Sequence, residues 1–254
     1  MGRIVEPAAA GARGFDTNTP LSKAKAVALK QAGFAFAVRY LTRKATPPAG
    51  DLTKAEVAAI LEAGLALMAV QHVAAPGWTP SAALGAEYGA NAAAHARAAT
   101  LPPGTAVFLD LEEVDAKAVP ADIIAYCNAW HGEVLAPGYA PGLYVGSNCG
   151  LSPDQLYSRL KMTLYWKAGS KVPAIPHRGY CMVQTIRRND VVAGVAVDRN
   201  LVTPDAFGAT PPWARAAGPA AGEGDTETAV SCAAAAADPR DRPSPPSPPG
   251  ARRR

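Results

Sequence analysis

Cysteine is scarce and scattered. Cys127, Cys149, Cys181 and Cys232 lie far apart in 254 residues with no C-x-x-C spacing. That pattern excludes a zinc ribbon or a dense disulfide framework, and it leaves the four as small apolar residues. No apolar run approaches the ~20 residues of a membrane span. The opening stretch MGRIVEPAAAGARGF has no apolar h-region. Neither a membrane span nor a secretory signal is therefore expected, which places the protein in the cytoplasm or on a signal-independent export route. Charge is also low, at 18% of residues with a net +4. Residues 1–214 carry 19 Lys+Arg against 16 Asp+Glu, and residues 215–254 carry 6 against 5. With no basic run interleaved with aromatics, no nucleic-acid partner is expected.

The 49% hydrophobic content nevertheless marks a chain that folds. From Ala216 onward there is no aromatic, Leu, Ile or Met, and the sequence runs out in RPSPPSPPGARRR. Such composition cannot bury enough apolar surface to offset chain ordering, so 214–254 reads as a disordered Pro/Ala-rich tail. Residues 1–13 lack periodicity and read as a flexible arm. The folded body is thus expected at 14–213.

Within that body, short apolar runs alternate with Ala-rich helical stretches. The predicted strands are 14–17, 34–41, 65–73, 105–112, 141–147, 164–169, 180–185 and 195–202. Helices are expected over 21–32, from Thr53 to just before Gly64, and over 81–99, 121–135 and 153–160. At the second of these, Thr53 and Glu56 have the spacing of a capping box. Eight near-continuous apolar strands alternating with helices predict an α/β fold, a shortened (β/α)8 TIM-type barrel with reduced helices in its last third. A doubly wound open sheet is the alternative, but no Gly-rich phosphate loop follows the first strand.

Acidic residues fall at the ends of three predicted strands: Asp16, Asp110 with Glu112, and Asp198. Barrel active sites are built at that face. Residues two apart on a strand point the same way, so in FLDLEE Asp110 and Glu112 face the lumen while Leu109 and Leu111 face helices. Glu113 has the opposite parity. A carboxylate leaving an apolar strand is costly unless paired. Crowded carboxylates also push one another's pKa up, which keeps one protonated as an acid while another stays ionised. Glycosidic cleavage needs that division of labour. A lone D-x-E also commonly caps a loop or pairs with a Lys. A divalent cation is the other use of clustered carboxylates. However, no H-x-H or H-E-x-x-H accompanies them, and His72, His95, His131 and His177 stand singly. Neither a metal nor a cofactor is therefore expected. His95 and His131 read as surface residues of helices.

GFDTNT, VRYL, Gln71, FLDLE, YVGS, YWKAG, MVQT and VDRNL follow one another in order over residues 14–205. Together they resemble the bacterial glycoside-hydrolase-like barrel domain, which is related to the family 25 lysozymes. The resemblance implies Glu112 as general acid, with Asp110 assisting the cationic centre or the substrate's acetamido group. It implies Asp16 and Asp198 as their electrostatic partners. Trp166, Tyr144 and Tyr40 would be groove walls on which sugars stack, or core residues. Gln184 would lie in the same groove. Arg39 and Gln71 would bond sugar hydroxyls or orient the carboxylates. The implied activity is hydrolysis of a β-1,4 bond in peptidoglycan or a related amino-sugar polymer by a monomer. The alternative is a barrel that binds cell-wall carbohydrate without turnover.

Overall fold

The computed structural model describes residues 2–218. The chain opens with β1 (Arg3–Pro7) and β2 (Arg13–Thr17), then runs α1 (Lys23–Gln31), β3 (Phe36–Leu41), α2 (Lys54–Glu62), β4 (Ala66–Gln71), α3 (Ala82–Ala98) and β5 (Ala106–Leu111). It continues through α4 (Pro120–Leu135), β6 (Ala140–Val145), α5 (Pro153–Ser158), β7 (Leu164–Lys167) and β8 (Met182–Thr185). A small hairpin of β9 (Val191–Val192) and β10 (Val195–Ala196) precedes β11 (Asp198–Val202) and β12 (Pro212–Ala216).

Strands β2 to β8 lie side by side and parallel, and β11 closes the ring between β8 and β2. The eight-stranded α/β barrel is as expected, and its last third carries only the short α5. One strand departs from the (β/α)8 pattern, because β11 is antiparallel to both neighbours. The β9–β10 hairpin takes the place of a crossover helix between β8 and β11, and a chain that turns back without a crossover must enter antiparallel.

The expected flexible arm is a correction. Arg3–Pro7 pairs in register with Pro212–Ala216, and Glu6 forms an ion pair with Arg215. The partner lies some two hundred residues along the chain, so no local pattern announces the strand. β12 reaches Ala216, three residues past the expected end of the body, and joins the barrel at Ala214–Leu67. The remainder of the expected tail, 219–254, lies outside the described residues.

Two apolar layers result. Residues such as Phe36, Val38, Met68, Phe108, Trp166 and Met182 fill the lumen. Their odd-numbered neighbours, including Ala37, Leu67, Leu109 and Leu111, pack outward under the helices. A Cβ on Gly14 would come within 2.5 Å of the Phe36 ring, so glycine there makes room for the lumen. Cys127, Cys149 and Cys181 are buried free thiols. No helix among the described residues is long and apolar enough to cross a membrane.

Candidate active site at the barrel mouth

Strand parity carries four acids to one end of the lumen. Asp16 is near the end of β2, Asp110 near the end of β5, and Glu112 just past it. Asp198 is the first residue of β11, not the end of a strand as expected; because β11 runs backwards, its start reaches the same mouth, in register with Asp16. A cavity of about 200 Å³ is lined by Tyr40, Asp110, Glu112, Tyr144, Gln184 and Asp198, with Trp166 also in its wall. A wider hollow of about 570 Å³ adjoins it, sharing Tyr40 and Asp198 and adding Asp16.

Asp16 is buried and its Oδ2 accepts from Gln184 Nε2 at 2.9 Å and Asn200 Nδ2 at 2.8 Å, while Tyr40 OH donates to Oδ1 at 3.4 Å. Burial outweighs these bonds and, with the Asp198 charge, pushes its pKa up to about 7. Asp110 is buried with no partner for Oδ1. Burial first, then the charges of Glu112 and Asp16, hold its pKa well above the usual carboxylate range. Glu112 is raised by burial and by Glu113, and Asp198 by burial and by Asp190. Among the described residues no Lys or Arg side chain pairs with any of the four.

The sequence around Glu112 explains its placement. Trp78 Nε1 donates to the Glu112 carbonyl at 2.9 Å. Glu113 adopts φ 50° and turns away to accept from Ser147 Oγ at 2.5 Å and Asn148 Nδ2 at 3.2 Å. Gly146 lies against the acid, where a Cβ would sit 2.3 Å from Glu112 Cβ. The run YVGSN thus supplies both the space for Glu112 and the anchor for its neighbour.

Tyr144 OH donates to Gln184 Oε1 at 2.9 Å, and Trp166 Nε1 donates to Asn200 Oδ1 at 2.9 Å. Gln184 and Asn200 therefore link the aromatic residues to Asp16 and fix its orientation. Trp166 is 1% exposed. It forms the floor of the mouth and offers no open face for stacking; the half-buried Tyr40 does, with its other side against the His72 ring at 4.5 Å. His72 Nε2 in turn meets Asp51 Oδ1 at 2.8 Å.

Two expected site residues are elsewhere. Arg39 has odd parity and points out of the barrel, where its Nε donates to Glu56 Oε1 at 2.6 Å and its other nitrogens to the carbonyls of Thr17 and Gly50. Gln71 also faces outward, donating to the carbonyls of Thr42 and Tyr88 and accepting from Trp130 Nε1. Neither reaches the four acids. The Thr53–Glu56 capping box is only half formed: Thr53 accepts from Glu56 N, but the Glu56 carboxylate goes to Arg39 and to Leu21 N. His95, expected at the surface, is buried between Thr42 N and the Leu52 carbonyl. Asn200, which orients Asp16, was missed although VDRN places it two residues after Asp198 on the same face. Among the described residues no group of three or more His, Cys, Asp or Glu is arranged to hold a metal ion.

A profile of the Rv2525c-like, glycoside hydrolase-like domain matches residues 27–202. The chain belongs to this family. Among solved structures, the Mycobacterium tuberculosis Tat-secreted protein Rv2525c in complex with L-tartrate is similar, with a TM-score of 0.58 and 18% identity over 79% of this chain and 99% of that one. A bacterial lysozyme from Streptomyces coelicolor gives 0.51 and 18% over 77% of this chain and 93% of that one. A family 25 glycosyl hydrolase from Bacillus anthracis gives 0.53 and 12% over 75% of this chain and 88% of that one. At these identities the likeness establishes the fold that the family shares with lysozymes. No curated protein matches the sequence.

Proposed function

We propose that the protein hydrolyses a β-1,4 glycosidic bond of peptidoglycan or a related amino-sugar polymer, by lysozyme-like acid-assisted cleavage. The observation that carries this reading is the convergence of Asp16, Asp110, Glu112 and Asp198 at one barrel mouth, with no Lys or Arg ion pair to any of them among the described residues. Such a cluster holds protons at a pH where ordinary carboxylates have lost them. Glu112 is the least enclosed of the D-x-E pair and faces the cavity, so it is the general acid that delivers a proton to the leaving glycosidic oxygen. Asp110, deeper and without a partner for Oδ1, faces the sugar's anomeric region and its acetamido group. Asp16, held by Gln184 and Asn200, and Asp198 supply the negative field that favours an oxocarbenium-like centre.

Neighbours described as a lysozyme and as the endolysin catalytic domain of a Listeria bacteriophage share this fold, which supports a cell-wall polymer as the substrate class. Purified protein incubated with peptidoglycan is expected to release reducing ends. Glu112→Gln is expected to lower that release by about 10²–10⁴-fold, the usual contribution of a positioned acid. Glycan binding by the wild type without release of reducing ends would overturn the hydrolase reading.

A further inference from the structure

The wall of the barrel beside the mouth is bare where β9–β10 replaces a helix. Along the outer face of β11, between β8 and the end of α1, runs a groove of about 400 Å³ lined by Arg13, Arg187, Arg199, Thr185, Leu201 and Phe34, among others, with no carboxylate in its lining. Arg199 and Leu201 point outward from β11, in register with Thr185 and Arg13 respectively. Arg199 is pinned by Asp190, Nε to Oδ2 at 2.5 Å and Nη2 to Oδ1 at 3.1 Å, and lies over the Phe34 ring at 5.5 Å. Arg13 and Arg187 are exposed, and neither has an ion-pair partner among the described residues. Two guanidinium groups without an ion pair among the described residues therefore border one groove, with a third, Arg199, held rigid by Asp190.

This groove adjoins the mouth. Arg187 lines both it and the wider hollow that holds Asp16 and Asp198. A polymer seated at the acids can therefore run on over Arg187 and along β11. The mouth is acidic and disfavours anionic groups at the reacting sugar, whereas the groove favours them one or more residues away. Arginine suits such a role because its planar fork takes carboxylate or phosphate oxygens two at a time.

We infer that the β11 groove is an oxyanion-binding subsite, at which Arg13 and Arg187 hold carboxylate or phosphate substituents of the amino-sugar polymer whose backbone lies in the mouth. The inference rests on the polymer reading above and adds that the polymer is anionic. A neutral glycan would leave both guanidinium groups unpaired.

The full chain carrying Glu112→Gln, which binds without turnover, serves for the test by fluorescence anisotropy. The probes are a labelled chitooligosaccharide, its carboxymethylated form and its phosphorylated form. At low salt an anionic form is expected to bind about tenfold more tightly than the neutral one, the size of a pair of exposed charge-assisted contacts. Which of the two anionic forms gains more identifies the substituent. Adding Arg13→Gln is expected to reduce the preference and leave neutral-sugar affinity unchanged, and adding Arg187→Gln as well is expected to abolish the preference. Rising salt is expected to erode the preference as screening grows. Equal affinity for all three probes, or a preference that survives the double substitution, overturns the inference. Failure of the hydrolase reading looks different: the wild type would release no reducing ends while the arginine-dependent preference stood.

Discussion

Arg39 and Tyr40 are neighbours in β3, yet they face two opposite kinds of buried charge. Outward, Arg39 meets a carboxylate and two carbonyls, and Glu56 also takes Leu21 N, so this buried guanidinium and carboxylate match each other. Inward, Tyr40 faces Asp16 and Asp198 in a mouth whose four acids form no ion pair with Lys or Arg among the described residues. The first arrangement is how a fold makes buried charge tolerable. The second keeps charge uncompensated in a place open to a ligand, which is costly for the free protein and useful for chemistry. The contrast separates residues that hold the barrel from residues that act at its mouth.

The two regions should respond oppositely to loss of a carboxylate. Glu56→Ala strands the buried Arg39 guanidinium and is expected to cost about 3–5 kcal/mol in denaturant unfolding. A loss below about 1 kcal/mol would show that the pair is not the compensated unit described here. Gly146→Ala tests the border between the two regions. Its Cβ would sit 2.3 Å from Glu112 Cβ, so about 1–3 kcal/mol of strain is expected together with displacement of the acid. Unchanged thermal stability and unchanged reducing-end release would contradict that placement.

The last effect concerns pH. Asp16 has a folded pKa of about 7 against an ordinary 3.8, so the native state holds an extra proton between those values. Its contribution to stability is fully present below the lower value and is lost as pH rises through the higher one. The melting temperature of the wild type is thus expected to fall between about pH 4 and pH 8, and Asp16→Asn to flatten the slope. Melting curves across that range check it. A wild-type slope unchanged by the substitution would place the pH dependence on other groups.

Much of the site was legible because strand parity is local. FLDLEE alone was enough to put Asp110 and Glu112 on one face and Leu109 and Leu111 on the other. The same rule applied to FAFAVRYL would have turned Arg39 away from the mouth, since it alternates with the inward Val38 and Tyr40. What the sequence concealed was non-local. The direction of β11 depends on a hairpin standing where a (β/α)8 barrel carries a crossover helix. β1 exists through its pairing with β12 at the far end of the body. The Glu56 carboxylate serves Arg39 on the outer face of β3 instead of its own helix cap. Asn200 was within reach of parity, but its role needs Asp16 to be its neighbour, and only the closed ring makes it so.

The division between holding and acting residues is tested by one paired assay, in which reducing-end release from peptidoglycan is followed for the wild type and for Glu112→Gln alongside their melting temperatures. Release by the wild type, near-complete loss in the variant, and a melting temperature that does not fall are expected. Equal release by both proteins, no release by either, or a variant that loses activity only because it unfolds would contradict it.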